Sequence, residues 1–484
     1  MSTSISSTGS VSSAGVGSGL DVESIVTKLM EVEKAPLTAL QTKATGIQTK
    51  VSAFAALKSA ISTFRDAARA LTTPSTWAAT TGTSGDPSTV TAASTGTAAA
   101  GSYSVVVQNL ASAQSVASGT FAASTSLVGE GTMHIDTGSW TSGAFTAQSG
   151  STGIDITVAA TDTLANVRDK INSAKAGVTA SIVTDTTGSR LVMSSTTTGA
   201  ANAFRVTTAD TDGNNTDSAG LSALAYDPAG GTTSTSLTQT AANAKATVNG
   251  LTVTSATNAL SGAVEGMTLN LVKVNTTPVL VTVAPDTTSI TTAITTFATA
   301  YSSLATLLTT DTKYDSATST AGPLQADTTA VSIQNQLRSI LGSSSTASSM
   351  FGTLSQAGLE IQSDGTLKVN ASKLNTSLGN LSQVKSLFAN VDSSGATQDG
   401  FAQRMRSLAD GMLSTDGLLT NRTTGLATSI ADNTKRQTEV QERLARTESR
   451  LRAQYTALDT KMATLTTLST YVTQQIASWN KSTS

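Results

Sequence analysis

The chain reads as a multidomain α+β protein. Long N- and C-terminal helices form a coiled-coil-like stalk, followed inward by a helical middle domain, with β-rich head modules inserted in it. Three observations predict this. Apolar residues recur at three- and four-residue intervals over long stretches near both ends. Between Trp77 and Val283 the period shortens to two. No cysteine is present, so each of the several cores that 484 residues can build must hold by packing alone.

Residues 1–19 are mostly Ser, Gly and Thr and are expected to be disordered. Order begins at Leu20, with Ser18 or Asp21 as cap and Val22, Ile25, Leu29 and Val32 as the stripe of a first helix. Pro36 should break or kink it and push Ala35 out of the helical region. The pattern resumes at Leu40, Ile47, Val51, Phe54, Leu57, Ile61, Phe64, Ala68 and Leu71. Residues 20–73 are thus one half of the stalk.

Strands are expected at Tyr103–Gln108, Ile154–Val158, Val178–Val183, Arg190–Ser194, Ala246–Val248, Leu251–Thr254, Met267–Val274 and Val279–Val283. One helix intervenes, with Leu164, Val167 and Ile171 on a face, Asp162 or Thr163 as cap and Gly177 beyond its end. The stretches Ala111–Thr152 and Asp210–Thr240 give no assignment. This layout makes 74–115 plus 241–285 one β-rich module and 116–240 an outer module inserted in it.

Helices return in 286–416, a domain expected to pair with 40–73. Ile290, Ile294, Phe297, Tyr301, Leu304 and Leu308 keep an unbroken four-three alternation. Val331, Leu337 and Leu341 mark another helix closed by Gly342, and Asp364-Gly365 signals a hairpin. Phe401, Met405, Leu408 and Met412 lead into the last element, residues 417–484. Its stripe is Leu426, Ile430, Val440, Leu444, Leu451, Leu458, Met462, Leu465, Leu468, Val472, Ile476 and Trp479, with Asn433, Gln437 and Thr447 at polar seam positions. Asp432 with Arg436, Glu439 with Arg443, Glu442 with Arg446 and Glu448 with Arg452 are acid-before-base pairs one turn apart. Each stabilises an exposed helix by roughly 0.2–0.5 kcal/mol. So narrow a stripe needs a partner helix, in this chain or a neighbouring one. The residues assigned to assembly lie in the Val22–Val32, Ile47–Leu71 and Leu426–Trp479 stripes.

Composition narrows the chemistry. Charged residues are 13% and aromatics 4%, against a usual charged share of about 25%. The net charge of −2 gives no electrostatic reason to expect nucleic acid. Met1–Gly19 lacks the basic and apolar regions of a secretory signal, and no apolar run spans a membrane. His134 is the single histidine, so a triad or a two-histidine metal site cannot form within one chain; it is expected at the surface. Asp210–Asp217 resembles a calcium loop, but Leu221 stands where the twelfth-position Glu belongs, which favours an Asx-rich turn. Gly15–Gly19 has neither a preceding strand nor a Gly-Lys-Ser/Thr, so it reads as a joint rather than a phosphate cradle. No catalytic, cofactor or metal residue is assigned.

Gly17-Ser-Gly-Leu-Asp-Val-Glu-Ser-Ile-Val-Thr-Lys-Leu-Met30 with Glu33-Lys-Ala-Pro-Leu37 resembles the N-terminal signature of the bacterial flagellar filament cap family, hook-associated protein 2. Gly101–Ala111, Asp162–Asn172 with Gly177–Ala180, Val248–Gly250 with Glu265–Leu271, and Asp364–Leu367 resemble the same family in order. The resemblance implies an annular homo-oligomer, a pentamer or similar, at the filament tip, with terminal helices on the filament end guiding flagellin insertion. It also implies hook–filament junction proteins as neighbours, export through the flagellar type III channel, and a cytoplasmic export chaperone on the C-terminal helix. A second reading gives the mildly acidic β-rich segment, with seven Lys or Arg and thirteen Asp or Glu between Pro74 and Ile290, a role as an adhesin for host glycans or mucin. A surface hydrolase acting through carboxylate pairs is a third.

Overall fold

The computed structural model describes residues 21–96, 98–232, 234–392 and 398–482. The expected disorder of residues 1–19 and the Ser18 cap lie outside them. Two compact units emerge, Met1–Thr73 with Thr291–Ser484, and Pro74–Ile290.

Helix α1 (Val22–Glu33) starts at Asp21, whose side chain accepts from the Ser24 amide. Helix α2 (Ala35–Thr72) follows after Lys34 alone. The break therefore falls at Lys34, and Ala35 is helical, contrary to the expectation for a residue before proline. Pro36 sits in the first turn of α2, where an amide proton would have no intrahelical acceptor and proline is tolerated.

The second unit begins with α3 (Pro74–Ala78) and holds two cores. An antiparallel sheet runs in the order Thr80–Ser84, Val279–Pro285, Gly101–Asn109, Ala244–Val248, Leu251–Ser255. A smaller sheet orders Ala259–Val264, Met267–Leu271 and Val90–Ser94. Val105, Val107, Ala246, Leu260, Leu269, Val281 and their neighbours form their shared core. Asn249 and Gly250, both at positive φ, make the two-residue turn that pairs Val248 with Leu251. The expected strand to Val274 stops at Leu271, and Val272 and Val274 are about half exposed.

The second core takes residues between these strands. Gly131–Thr141 pairs with Ala203–Asp210, Ala144–Ala147 and Ile154–Val158. A further sheet orders Ser236–Gln239, Ser115–Ala117, Gly188–Ser195 and Val178–Asp185. Helix α4 (Leu164–Ala174) closes this core with Leu164, Val167 and Ile171, capped reciprocally by Thr163 and Asn166.

Helix α5 (Thr287–Thr312), which lies in the first unit from Thr291 onward, buries Ile290, Ile294, Phe297, Tyr301, Leu304 and Leu308. Phe64 of α2 meets Phe297 at 5.4 Å and Tyr301 at 5.8 Å between ring centroids. Helix α6 (Thr328–Gly342) buries Ile333, Leu337 and Leu341, while Val331 falls off that face. Leu359–Ile361 and Leu367–Val369 form the hairpin, with Gly365 at φ 83° in its loop. Helices α7 (Ala371–Leu378), α8 (Leu381–Ala389) and α9 (Phe401–Leu413) follow, and Phe388 of α8 packs on Phe297. Helix α10 (Leu418–Ser482) is 65 residues long, about 97 Å at 1.5 Å per residue.

Candidate assembly surface on the terminal helices

The stripe of α10 divides into a covered and an uncovered part. Leu426 and Leu444 are 5% and 6% exposed, and Ile430, Val440 and Leu451 are half-buried. Leu458, Met462, Leu465, Leu468, Val472, Ile476 and Trp479 are 39–73% exposed. Tyr471, which the stripe omitted, is exposed with them.

Its cover comes from α2 along the earlier stretch and from α1 around Leu444. Val26, Met30 and Leu444 form a small core, ringed by Val22, Leu37, Val440, Leu451 and Tyr455. Glu23 pairs with Arg452, which also holds Glu448 at 3.0 Å. The Arg452 guanidinium lowers the Glu23 carboxyl below its ordinary range and is itself raised by the two acids. Since Glu23 reaches Arg452 while Leu37 reaches the same core that Val440 rings, α1 runs antiparallel to α10.

This corrects the expected phase of α1. The covered face is Val22, Val26 and Met30, whereas Leu29 and Val32 are 40% and 75% exposed and Ile25 is half-buried. Two apolar sets interleave on one helix, and periodicity alone cannot say which one its own chain covers.

The α2 residues divide similarly. Phe54, Ile61 and Phe64 are fully buried in their own unit and hold α2 to its neighbours. Ile47 and Val51 are half-buried. Arg422, near the start of α10, binds the carboxylate of Asp327, the N-cap of α6, at 2.5 Å and lies over the Phe54 ring. It fixes that end of the long helix to the body of the unit. Of the four acid-before-base pairs, Glu442 with Arg446 at 3.9 Å and Glu448 with Arg452 close to ion-pair distance.

The uncovered part is also rich in threonine. Thr460, Thr464, Thr466, Thr467, Thr470 and Thr473 each donate a hydroxyl proton to the carbonyl four residues back. Threonine is a mediocre helix former, so this part lacks both tertiary cover and strong intrinsic preference.

The other candidates settle into local structure. His134 is only partly exposed; it contacts Asp155 at 2.5 Å and Asp136 at 3.1 Å, and Asp136 binds Arg205 at 2.8 Å. The hydrogen bond to Asp155 leads in raising its pKa. In the Asp210–Asp217 loop, Asp212 accepts from the Asn214 amide and Asp217 from the Ala219 amide, which are Asx turns. Among the described residues no helix is long and apolar enough to cross a membrane.

Family models place these elements. That for the flagellar hook-associated protein 2 N-terminus matches residues 18–114, that for its C-terminus 241–467, and the flagellin hook IN motif 144–197. Flagellar hook-associated protein 2 of Escherichia coli K12 is 34% identical over 96% of this chain and 98% of its own length. That of Salmonella typhimurium is 31% identical over 98% of this chain and 100% of its own. The crystal structure of the D1–D2–D3 domains of the Escherichia coli flagellar cap protein FliD aligns with a TM-score of 0.57 and 31% identity, covering 78% of this chain and 99% of that one. With similarity to such relatives over nearly its whole length, the chain belongs to the flagellar hook-associated protein 2 family.

Proposed function

We propose that the chain is a structural cap of the bacterial flagellar filament, located outside the cell at the distal tip as a homo-oligomer acting on flagellin. The observation that carries this reading is the uncovered apolar stripe from Leu458 to Ile476. A row of exposed large side chains of that length is costly in water unless another surface covers it. Filament subunits at the tip supply such a surface, and so does an export chaperone before secretion. The hook–filament junction proteins are further neighbours. An annulus of about five protomers fits the family, with the Leu29 and Val32 face of α1 and the Leu458–Trp479 stripe as contact surfaces. The role is mechanical. Phe54, Ile61 and Phe64 support it from inside the unit by holding α2 in place. The relatives reported above are named for the hook and the cap, none for adhesion, which favours capping over glycan binding.

Electron microscopy of filament ends incubated with the full chain tests this. The intact protein should decorate distal ends, and Leu465→Asp with Val472→Asp should abolish decoration without unfolding the chain. Equal decoration by both would overturn the assignment of the stripe.

A further inference from the structure

On the stretch of α10 that precedes Val440, α2 and α10 part and leave a groove of about 540 Å³. Its lining separates by chemistry. Leu40, Ile47 and Leu426 give it an apolar wall, and Lys43, Lys50, Arg422 and Arg436 set four cations against one acid, Asp432. Arg422 is engaged by Asp327. Lys43, Lys50 and Arg436 have no ion-pair partner within 4 Å among the described residues. Asn433 lines the same groove and is 4% exposed. Its Oδ1 accepts from Gln437 Nε2 at 2.7 Å, but its buried Nδ2 has no acceptor. A buried donor left without an acceptor is costly, and surplus positive charge around it specifies what would satisfy it: a carboxylate.

The complement is on the same unit, facing elsewhere. The outward face of α1 presents Leu29 and Val32, 40% and 75% exposed, with the exposed Glu33 one turn beyond Leu29. Its own α10 leaves this flank open: Val26 and Met30 are on Leu444, Val32 points away from both, and Leu29 and Glu33 lie at the edge of the covered face.

We propose that copies of this chain associate by seating the outward face of α1 of one copy in the α2–α10 groove of the next. Leu29 and Val32 meet Leu40 and Ile47, and the Glu33 carboxylate accepts from Asn433 Nδ2 between Lys43 and Lys50. The two patches are different surfaces, so the contact is head-to-tail and repeats around a ring when the rotation closes. This rests on the homo-oligomeric reading above and names one of its contacts.

Sedimentation velocity of the full chain over a concentration series tests it with charge exchange. Lys43→Glu with Lys50→Glu, and separately Glu33→Lys, should each move the association midpoint to at least about tenfold higher concentration, as opposed charges become like charges. The chain carrying all three changes should return to within about threefold of the original. The milder Lys43→Ala with Lys50→Ala should weaken association about threefold, and circular dichroism should match the parent throughout. Association indifferent to the reversals, or not restored in the triple variant, overturns this contact alone. So does a groove variant that associates normally yet fails to decorate filament ends, because the occupant is then another protein. A parent chain that stays monomeric at every concentration overturns the homo-oligomeric reading as well.

Discussion

The two parts of α10 share one backbone and one stripe but have opposite surroundings. From Leu418 to Leu451 the helix is anchored by Arg422 on Asp327, buried at Leu426 and Leu444, flanked by α2, and roofed by α1 around Leu444. From Leu458 to Trp479 the same spacing of apolar residues is exposed. Periodicity says that a face needs a partner; only the structure says whether the partner is already in the chain. Substitutions in the first part should therefore be read in stability, and equivalent ones in the second part in assembly.

The largest expected effect breaks the covered part. Leu444→Asp puts a carboxylate into the core with Val26 and Met30 and should destabilise the first unit by roughly 3–5 kcal/mol in urea unfolding. Arg422→Ala comes next. It leaves the Asp327 side chain, 1% exposed, without its cation, and about 3 kcal/mol of stability should disappear. The Thr329 amide keeps its hydrogen bond to that carboxylate and limits the loss.

Leu465→Asp sharpens the contrast. It sits on the uncovered part, so unfolding of the isolated chain should change by less than about 0.5 kcal/mol while filament-end decoration is lost. A stability loss as large as that of Leu444→Asp would erase the distinction between the two parts. Glu442→Ala, on the solvated face, should cost about 0.2–0.5 kcal/mol and leave assembly intact.

The smallest effect depends on pH. Arg452 lowers the Glu23 pKa from its ordinary 4.5. The pair therefore stabilises α1 docking above that ordinary value, and the contribution is lost as pH falls through the lowered one. Glu23→Gln should lower the melting temperature slightly at neutral pH, and the difference should vanish in acid below the depressed pKa. A difference that persists there would place the effect in packing rather than charge.

The helices were legible because their stripes are long and their stops explicit. Ile290 to Leu308 runs without a fault, and the expected face is the buried one. The Asp364-Gly365 hairpin also formed, since short-range turn chemistry is local. The strand Gly131–Thr141 was not legible. Glycines interrupt it at both ends, and its buried Asp136 breaks the apolar alternation, tolerated because His134 contacts it and Arg205 arrives from a strand far along the chain. Two local signals nevertheless mark this sheet. Ser142-Gly143, both at positive φ, is a two-residue hairpin turn. Phe204, Val206 and Thr208 alternate inward along Ala203–Asp210. On α1 the residue types were read correctly and the covered face was not, because the choice between two apolar faces is made by Leu444, more than four hundred residues away in sequence.

The threonine hydroxyls of the uncovered part have a mechanical corollary. Each already gives its proton to its own helix, so an approaching neighbour meets methyl groups and aliphatic chains rather than donors that demand fixed partners. Such a surface grips by shape alone. Positions one helical turn apart, about 5.4 Å, are nearly equivalent to it, so under the proposed capping role a partner can shift along the rod by a turn without losing its contact.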